Sequence, residues 1–193
     1  MKGAPKRPAL ILASASPRRS ELLKQIGLPF RVARVRADEV APAHLSPAEI
    51  AMINAFRKAR AAVPRYPDKI VLGADTVVSL GTAVLGKPAD RKEAEQMLAQ
   101  LQGRTHQVTT GICLIQGKAR RQKLFAVNTA VTFRRLTRSQ IREYLSRIQP
   151  CDKAGGYAIQ EGGDRLVQAV RGSFSNVVGL PVERLSEELA AWR

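Results

Sequence analysis

Helix-start signals alternate with short apolar or β-rich runs along this sequence, and the alternation restricts the fold more than any other feature. A capping residue followed three positions later by Glu or Gln precedes three predicted helices, at Ser46 with Glu49, Asp90 with Glu93 and Thr137 with Gln140. Strand-like runs lie between the helices, at residues 9–13, 30–35, 70–72, 105–116 and 123–133. This order predicts an α/β chain with mixed strand pairing and no internal repeat.

The same signals give expected limits for the elements. Pro17 suits the first position of a helix that Gly27 stops, and a final helix is expected at residues 180–191. Gln116-Gly117-Lys118 predicts a hairpin, and Gly73-Ala74-Asp75-Thr76 predicts a glycine turn after a strand. We expect the remaining helices from Ser46 to about Val63, from Asp90 to Gly103 and from Thr137 to about Ile148.

The strand-to-helix junction at residues 14–23 combines groups that bind phosphate. It places the hydroxyls of Ser14 and Ser16 and the guanidiniums of Arg18 and Arg19 near a helix N-terminus, where free N–H groups already favour an anion. Arginine adds a fixed fork of donors for phosphate oxygens. The alternative is that Ser16 only caps the helix and that both arginines are solvated.

Three further positions carry charge at constrained places. Asp75 follows a buried run at the predicted glycine turn, where α/β proteins present ligand-facing carboxylates. Asp38-Glu39 comes directly after a predicted strand and offers a metal site or a general base. Lys87 lies between Gly86 and Pro88, which constrains its backbone. A turn-forming aspartate, two solvated acids and an ordinary turn lysine are the alternatives.

Two glycine-containing tracts also suit ligand binding. Residues 152–160 join charged side chains, paired glycines and the amide of Gln160, and an amide reads a base edge through its donor and acceptor. Residues 172–181 repeat the glycine and hydroxyl chemistry before a helix. A loop and strand that pack the core are the alternative for this second tract.

Composition limits the classes of partner. The formal net charge of +16 predicts attraction to polyanions, but the basic residues form no block of five or six. Five Phe, three Tyr and one Trp provide no recognisable platform for stacking bases. Two cysteines and two histidines exclude a disulfide framework and argue against a His/Cys zinc centre. Any metal is therefore expected to be magnesium or manganese.

The N-terminal region resembles a secretory signal, with Lys2, Lys6 and Arg7 before an apolar run. Ser14 interrupts that run and Arg18-Arg19 follow it directly, so we do not expect a secretory signal. Two cysteines without a C-x-x-C pair make a reducing cytoplasm the expected location. No window has the length of a transmembrane helix, so no membrane partner is expected.

The motifs together resemble the Maf family of nucleoside triphosphate pyrophosphatases, earlier described as septum formation inhibitors, from about Leu10 to Leu189. The resemblance runs in unbroken order through S-x-S-P-R-R-x-E-L-L at 14–23, D-E at 38–39, K-A at 58–59, G-A-D-T at 73–76, G-K-P at 86–88, G-x-x-H-x-V-x-T-G at 103–111, D-K-A-G-x-Y-x-I-Q at 152–160 and G-S-x-x-N-V-V-G-L-P at 172–181.

The resemblance implies hydrolysis of a nucleoside triphosphate between its α- and β-phosphates, with a divalent metal, magnesium or manganese. Asp75 matches the family's active-site base, and Glu39 matches a second carboxylate of catalysis or metal binding, so both are the implied metal ligands. The phosphate-contacting positions of the family fall on Ser14, Arg18, Arg19, Lys58 and Lys87. Cations suit this role because phosphoryl transfer depends on neutralising oxygen charge and aligning water.

Substrate choice follows the tract at 152–160, which resembles the branch acting on dTTP and UTP rather than the branch acting on 7-methylated GTP. Arg18, Thr76 and Gln160 match the specificity positions of that branch, and the Gln160 amide is able to pair with the O4/N3 edge of uracil or thymine. Glu161 departs from the glycine that is common there, and a charge beside a base pocket is able to shift the preference.

The architecture implied by the resemblance is an elongated mixed central sheet flanked by helices, with two lobes around a deep cleft, in a single domain over residues 1–193. A homodimer is also implied. Two alternatives remain open: a pyrophosphatase for GTP-like or 7-methylated nucleotides, and a basic nucleic-acid-binding regulator of cell division without turnover. Carboxylates among the phosphate contacts argue against the regulator, so nucleic acid is not expected as a specific partner.

Overall fold

The computed structural model describes residues 10–192 and contains one seven-stranded sheet with helices packed against it. The strands are Leu10–Leu12 (β1), Phe30–Val32 (β2), Ile70–Leu80 (β3), Ala83–Leu85 (β4), Thr105–Gln116 (β5), Arg121–Phe133 (β6) and Val167–Arg171 (β7). The helices are Pro17–Gln25 (α1), Pro47–Ala62 (α2), Arg91–Leu101 (α3), Arg138–Leu145 (α4), Gly163–Leu166 (α5), Phe174–Val178 (α6) and Val182–Ala190 (α7).

Strand β3 connects the two halves of the sheet. The order is β2-β1-β3-β5-β6-β7, and β4 pairs with β3 outside this path. β1 is parallel to both β2 and β3, whereas β3, β5, β6 and β7 pair in antiparallel fashion. The predicted mixed α/β fold is therefore confirmed. Its division into two lobes around a deep cleft, and the single domain over residues 1–193, stay predictions.

The predicted helix starts are confirmed at the level of individual hydrogen bonds. In each case the side chain of the capping residue accepts from the backbone N–H three residues later, which satisfies a donor that has no partner within the helix. The caps are Ser16 for α1, Ser46 for α2, Asp90 for α3 and Thr137 for α4. The predicted hairpin is also present, since β5 and β6 pair from Thr105↔Thr132 to Gln116↔Arg121.

Two local predictions are wrong. Residues 73–76 form no turn: they lie inside β3, where Gly73 pairs with Cys113 and Asp75 with Gly111. Asp38-Glu39 does not follow its strand directly, because β2 ends at Val32. β2 is short because its partner β1 is only three residues long and pairs with it from Leu10↔Phe30 to Leu12↔Val32.

Smaller differences concern the ends of elements. α2 ends at Ala62 and continues as a 3-10 turn, α4 stops at Leu145, and the last helix begins at Val182. The tract at 172–181 contains the short helix α6, so the loop-and-strand alternative is wrong there. Ala9, the first residue of the predicted β1, lies outside the described residues. None of the helices between residues 10 and 192 is long and apolar enough to cross a membrane.

Glycine appears in β3 and β5 because the backbone of α2 packs directly on these strands. A Cβ on Gly73 would collide with the carbonyl oxygen of Ala55, and a Cβ on Gly111 would collide with backbone atoms of Ala51. Ala51 and Ala55 are themselves fully buried. Small residues on both sides therefore bring the helix close to the sheet, and the residues on this face of α2 lie directly over β3 and β5.

Replacing Gly111 with Ala should destabilise the protein by about 2 kcal/mol or more, because the added methyl displaces helix backbone rather than a flexible side chain. Urea unfolding followed by circular dichroism measures this as a lower midpoint. Gly86→Ala is the matched control, since a Cβ there meets no atom within 4 Å. Equal midpoints for the two variants would contradict the account of close packing.

Candidate functional site

One pocket of about 510 Å³ contains all nine site residues implied by the family resemblance, whereas Asp38, the neighbour of Glu39 in the predicted carboxylate pair, does not line it. Its walls come from the segment after β1 and the start of α1, from α2 and β3, from the segment between α4 and α5, and from the end of α6. The predicted residues that line it are Ser14, Arg18, Arg19, Glu39, Lys58, Asp75, Thr76, Lys87 and Gln160. Residues from across the sequence thus meet in a space of the size that small-molecule sites usually have.

Asp75 lies in β3 at the floor of the pocket and is only 6% exposed. Its Oδ1 accepts from the Lys58 ammonium at 2.6 Å, and its Oδ2 accepts from the Asn54 side-chain amide at 3.1 Å. Asn54 and Lys58 are four residues apart on α2 and therefore share one face of the helix. The carboxylate is held at both oxygens, so its orientation is fixed before any ligand binds.

Asn54 is a site residue that the sequence prediction missed. It is buried, and its side chain also forms two hydrogen bonds with the backbone of Val40, at 2.8 and 3.0 Å. These bonds fix the irregular segment that carries Glu39 against the helix that carries Lys58. The spacing of four residues between Asn54 and Lys58 is the signal that was available in the sequence.

Glu39 completes an ion-pair network with two lysines. Lys58 Nζ lies 2.7 Å from Glu39 Oε1, and Lys87 Nζ lies 2.9 Å from Oε2. Burial alone raises the pKa of Glu39, but the hydrogen bonds and charges of Lys58 and Lys87 outweigh it and lower the pKa to about 2. Glu39 is therefore ionised at neutral pH, and Lys58 contacts both carboxylates of the pocket.

Arg19 is buried beneath the pocket, so the alternative of two solvated arginines is wrong for this residue. Its guanidinium donates to Gly179 O at 2.9 Å, to Ser14 Oγ at 3.1 Å and to Thr76 Oγ1 at 3.1 Å. Burial lowers the pKa of Arg19, while the nearby charges of Asp75 and Glu39 raise it. Arg19 thus connects the first strand-to-helix junction with β3 and with the end of α6.

Arg18 and Gln160 also line the pocket. Arg18 is about a quarter exposed and donates to Asp152 Oδ2 at 3.3 Å. Gln160 is exposed and lines the pocket, and its side chain forms no hydrogen bond with any other residue between 10 and 192. Its amide is therefore able to bind a ligand in the pocket.

A buried aromatic cluster supports the part of the pocket wall that Tyr157 forms. The Tyr157 hydroxyl lies 2.7 Å from His106 Nε2, and both rings pack edge-on against Phe133. Burial lowers the pKa of His106 to about 4, so its ring is neutral at pH 7. The sequence placed His106 in a motif without a role. The structure shows that it holds Tyr157, which lines the pocket.

The carboxylates of the pocket fit a magnesium-type ion only if a phosphorylated ligand supplies further oxygens. Among residues 10–192 no group of three or more His, Cys, Asp or Glu side chains is placed to hold a metal. Glu39 and Asp75 provide two carboxylates, joined by Lys58. Magnesium usually takes one or two protein carboxylates and completes its shell with phosphates and water. The residues present therefore fit such an ion in the company of a phosphorylated substrate.

A family model and several curated proteins are similar to this chain over most of its length. Residues 9–192 match the family model described as Maf-like protein. A dTTP/UTP pyrophosphatase of Symbiobacterium thermophilum is 51% identical over 93% of this chain and 92% of its own length. Those of Pelotomaculum thermopropionicum and Desulfitobacterium hafniense are 44% and 49% identical, over 93% and 95% of this chain and 94% and 85% of their own lengths.

Replacing Lys87 with Met should raise the pKa of Glu39 from about 2 toward its ordinary value, because one of two stabilising cations is lost. Lys87 is half exposed, so the fold should persist. Carbon-detected NMR titration of the side-chain carboxyls measures the shift. Lys118→Met, which removes a surface pair with Asp68, is the control.

The pH dependence of stability follows from the lowered pKa of Glu39. A folded-state pKa below the unfolded one means that Glu39 stabilises the fold above about pH 4.3 and loses this contribution as the pH falls toward 2. The Lys87→Met protein should therefore lose less stability over that range than the wild type. An unchanged Glu39 titration in this variant would show that Lys87 is not a cause.

Proposed function

Because the chain belongs to the Maf-like protein family, we propose that it is a nucleoside triphosphate pyrophosphatase that converts dTTP and UTP to the monophosphate and pyrophosphate. One observation carries the proposal: two carboxylates, Asp75 and Glu39, lie among the cations of a single pocket. A site that only binds phosphate has no need for carboxylates, whereas hydrolysis needs a group that accepts a proton from water.

Asp75 is proposed to act as the general base. Lys58 and Asn54 each occupy one of its oxygens, and a carboxylate oxygen has a second lone pair for a water molecule. A water bound there is oriented toward the α-phosphate and loses its proton to Asp75 as it attacks. Fixed orientation of the base lowers the barrier, since no reorganisation is required during the reaction.

The cations are proposed to hold the triphosphate. Ser14, Arg18, Lys58 and Lys87 present donors to the pocket, and Arg19 supports Ser14 from below. Lys58 and Lys87 neutralise the charge that develops on the phosphate oxygens, and Arg18 exchanges its bond with Asp152 for a phosphate oxygen. The same cations offset part of the charge of the pyrophosphate that leaves.

A divalent ion, magnesium or manganese, is proposed as the cofactor. Glu39 and Asp75 would hold it together with the substrate phosphates, in keeping with their chemistry as oxygen donors. Such an ion supplies Lewis-acid stabilisation of the phosphate oxygens and lowers the pKa of water.

Base selection is proposed to depend on Gln160, with Arg18 and Thr76 as the other specificity positions. The free amide of Gln160 offers one donor and one acceptor, as the O4/N3 edge of uracil and thymine requires. Thr76 is proposed to act indirectly, because its hydroxyl already forms hydrogen bonds with Arg19 and Thr110. The names of the relatives favour pyrimidine triphosphates over GTP-like or 7-methylated substrates. The homodimer and the cytoplasmic location stay predictions.

Replacing Asp75 with Asn should lower kcat/KM for dTTP by about a thousandfold, the usual scale for loss of a general base. Pyrophosphate and monophosphate release is measured with dTTP, UTP, CTP, GTP, dATP and 7-methyl-GTP, in magnesium or manganese and after chelation. Asp68→Asn, at a surface pair with Lys118, is the matched control.

The expected pattern is selective cleavage of dTTP and UTP that requires the metal and is lost only in the Asp75→Asn protein. Cleavage mainly of a triphosphate that carries another base would show that the role assigned to Gln160 is wrong. No cleavage of any triphosphate, together with polynucleotide binding that weakens steeply with salt, would favour the nucleic-acid-binding alternative.

A further inference from the structure

The turn that carries Gln160 is held at its first residue by a buried hydroxyl. Ala158 O accepts from Glu161 N at 3.2 Å, which closes a turn with Ile159 and Gln160 at its centre. The Tyr144 hydroxyl donates to Ala158 O at 3.1 Å and accepts from Ala158 N at 3.0 Å. Since Tyr144 is almost fully buried, this end of the turn is fixed to α4.

Lys153 holds the last residue of the same turn. Its side chain is only 5% exposed, and its ammonium lies 2.7 Å from Gln149 O, 2.8 Å from Asp152 Oδ1 and 3.4 Å from Glu161 Oε1. A buried cation is costly unless it is paired, so these partners are favoured over solvent. Glu161 is directed to Lys153 and is not among the residues that line the pocket, although its neighbour Gln160 is.

The same ammonium connects the turn to the phosphate side of the pocket. Asp152 uses one oxygen for Lys153 and the other for Arg18, at 2.8 and 3.3 Å. The charges therefore alternate along the row Arg18, Asp152, Lys153 and Glu161, and their sum is zero. This row of ion pairs spans the distance between the residue proposed to contact phosphate and the turn proposed to read the base.

We propose that Glu161 is a positioning residue for base selection: its ion pair with Lys153 fixes the Ala158–Glu161 turn and, with it, the place from which the Gln160 side chain reaches the base. The inference rests on the proposed function. The charge that departs from the usual glycine thus stabilises the base-reading turn instead of entering the base pocket.

Selectivity needs such a constraint because the oxygen and the nitrogen of an amide are nearly equal in size. Rotation of the amide by 180° reverses the order of donor and acceptor, and the reversed order is the one that the N4/N3 edge of cytosine requires. A turn free to move accommodates both pairings. A turn fixed at Ala158 by Tyr144 and at Glu161 by Lys153 leaves the amide free to rotate but fixes the Gln160 backbone, and therefore the distance and angle at which the amide meets a base edge. The base edge that fits this geometry better is then bound more tightly.

The test compares binding of UMP and CMP to the Glu161→Gln protein by calorimetry. Glu161 is about two-fifths exposed, so the variant should fold, and Glu95→Gln is the matched control because it removes a surface carboxylate paired with Arg142. We expect the UMP-to-CMP affinity ratio to fall about fivefold, the scale of one net hydrogen bond, only in Glu161→Gln. The ratio cancels the general gain in anion affinity that follows loss of a negative charge.

Hydrogen exchange in the ligand-free protein provides the second readout. Amide exchange over residues 157–163 should become faster in Glu161→Gln and stay unchanged in Glu95→Gln. A wild-type affinity ratio in Glu161→Gln, or an equal fall in both variants, would overturn the inference and leave the proposed function standing. A wild-type protein that binds neither monophosphate and cleaves no triphosphate would overturn both.

Discussion

The close packing of the α2 backbone on β3 and β5 is the constraint on which the pocket depends. Gly73 and Gly111 leave no side chain between helix and sheet, and alanines on the helix side complete the contact. Asn54 and Lys58 consequently lie beside Asp75, and Asn54 also fixes the segment of Glu39. A helix held one side-chain layer farther from the sheet would leave Asp75 buried without a partner, which is costly for a charge.

Electrostatic balance in the pocket follows from this packing. Lys58 is shared by two carboxylates, Lys87 pairs with the second of them, and Arg19 is neutralised in part by both. The ligand-free pocket is therefore not a concentrated positive charge, even though the chain as a whole carries +16. The excess charge of the surface attracts a triphosphate from a distance, whereas the paired groups of the pocket set its orientation.

The sequence was sufficient for features that depend on neighbouring residues. The helix caps at Ser46, Asp90 and Thr137 follow from spacings of three residues, and the structure confirms each of them, together with the helix start at Pro17. The nine predicted site residues also share one pocket, although their individual roles stay predictions.

Features that depend on tertiary contacts were not accessible in this way. Gly73 was interpreted as a turn residue because its need for space arises from α2, which is distant in sequence until the chain folds. Asn54 was missed because its spacing of four residues from Lys58 shows that the two share a helix face, but not which strand that face contacts. The ion pair between Lys153 and Glu161 likewise depends on how the chain folds back between α4 and α5.

The β5–β6 hairpin separates the pocket into two parts along the chain. Every residue proposed for water activation and phosphate contact precedes it, whereas Gln160, Lys153 and Glu161 follow it. The exposed link between these strands, residues 117–120, is far in sequence from both groups. A chimera joined at this hairpin would keep one parent's hydrolytic half and acquire the Gln160 turn of the other. Both parents would have to share the sheet register and the side-chain contacts that cross the join, such as Arg18 with Asp152 and Arg19 with Gly179.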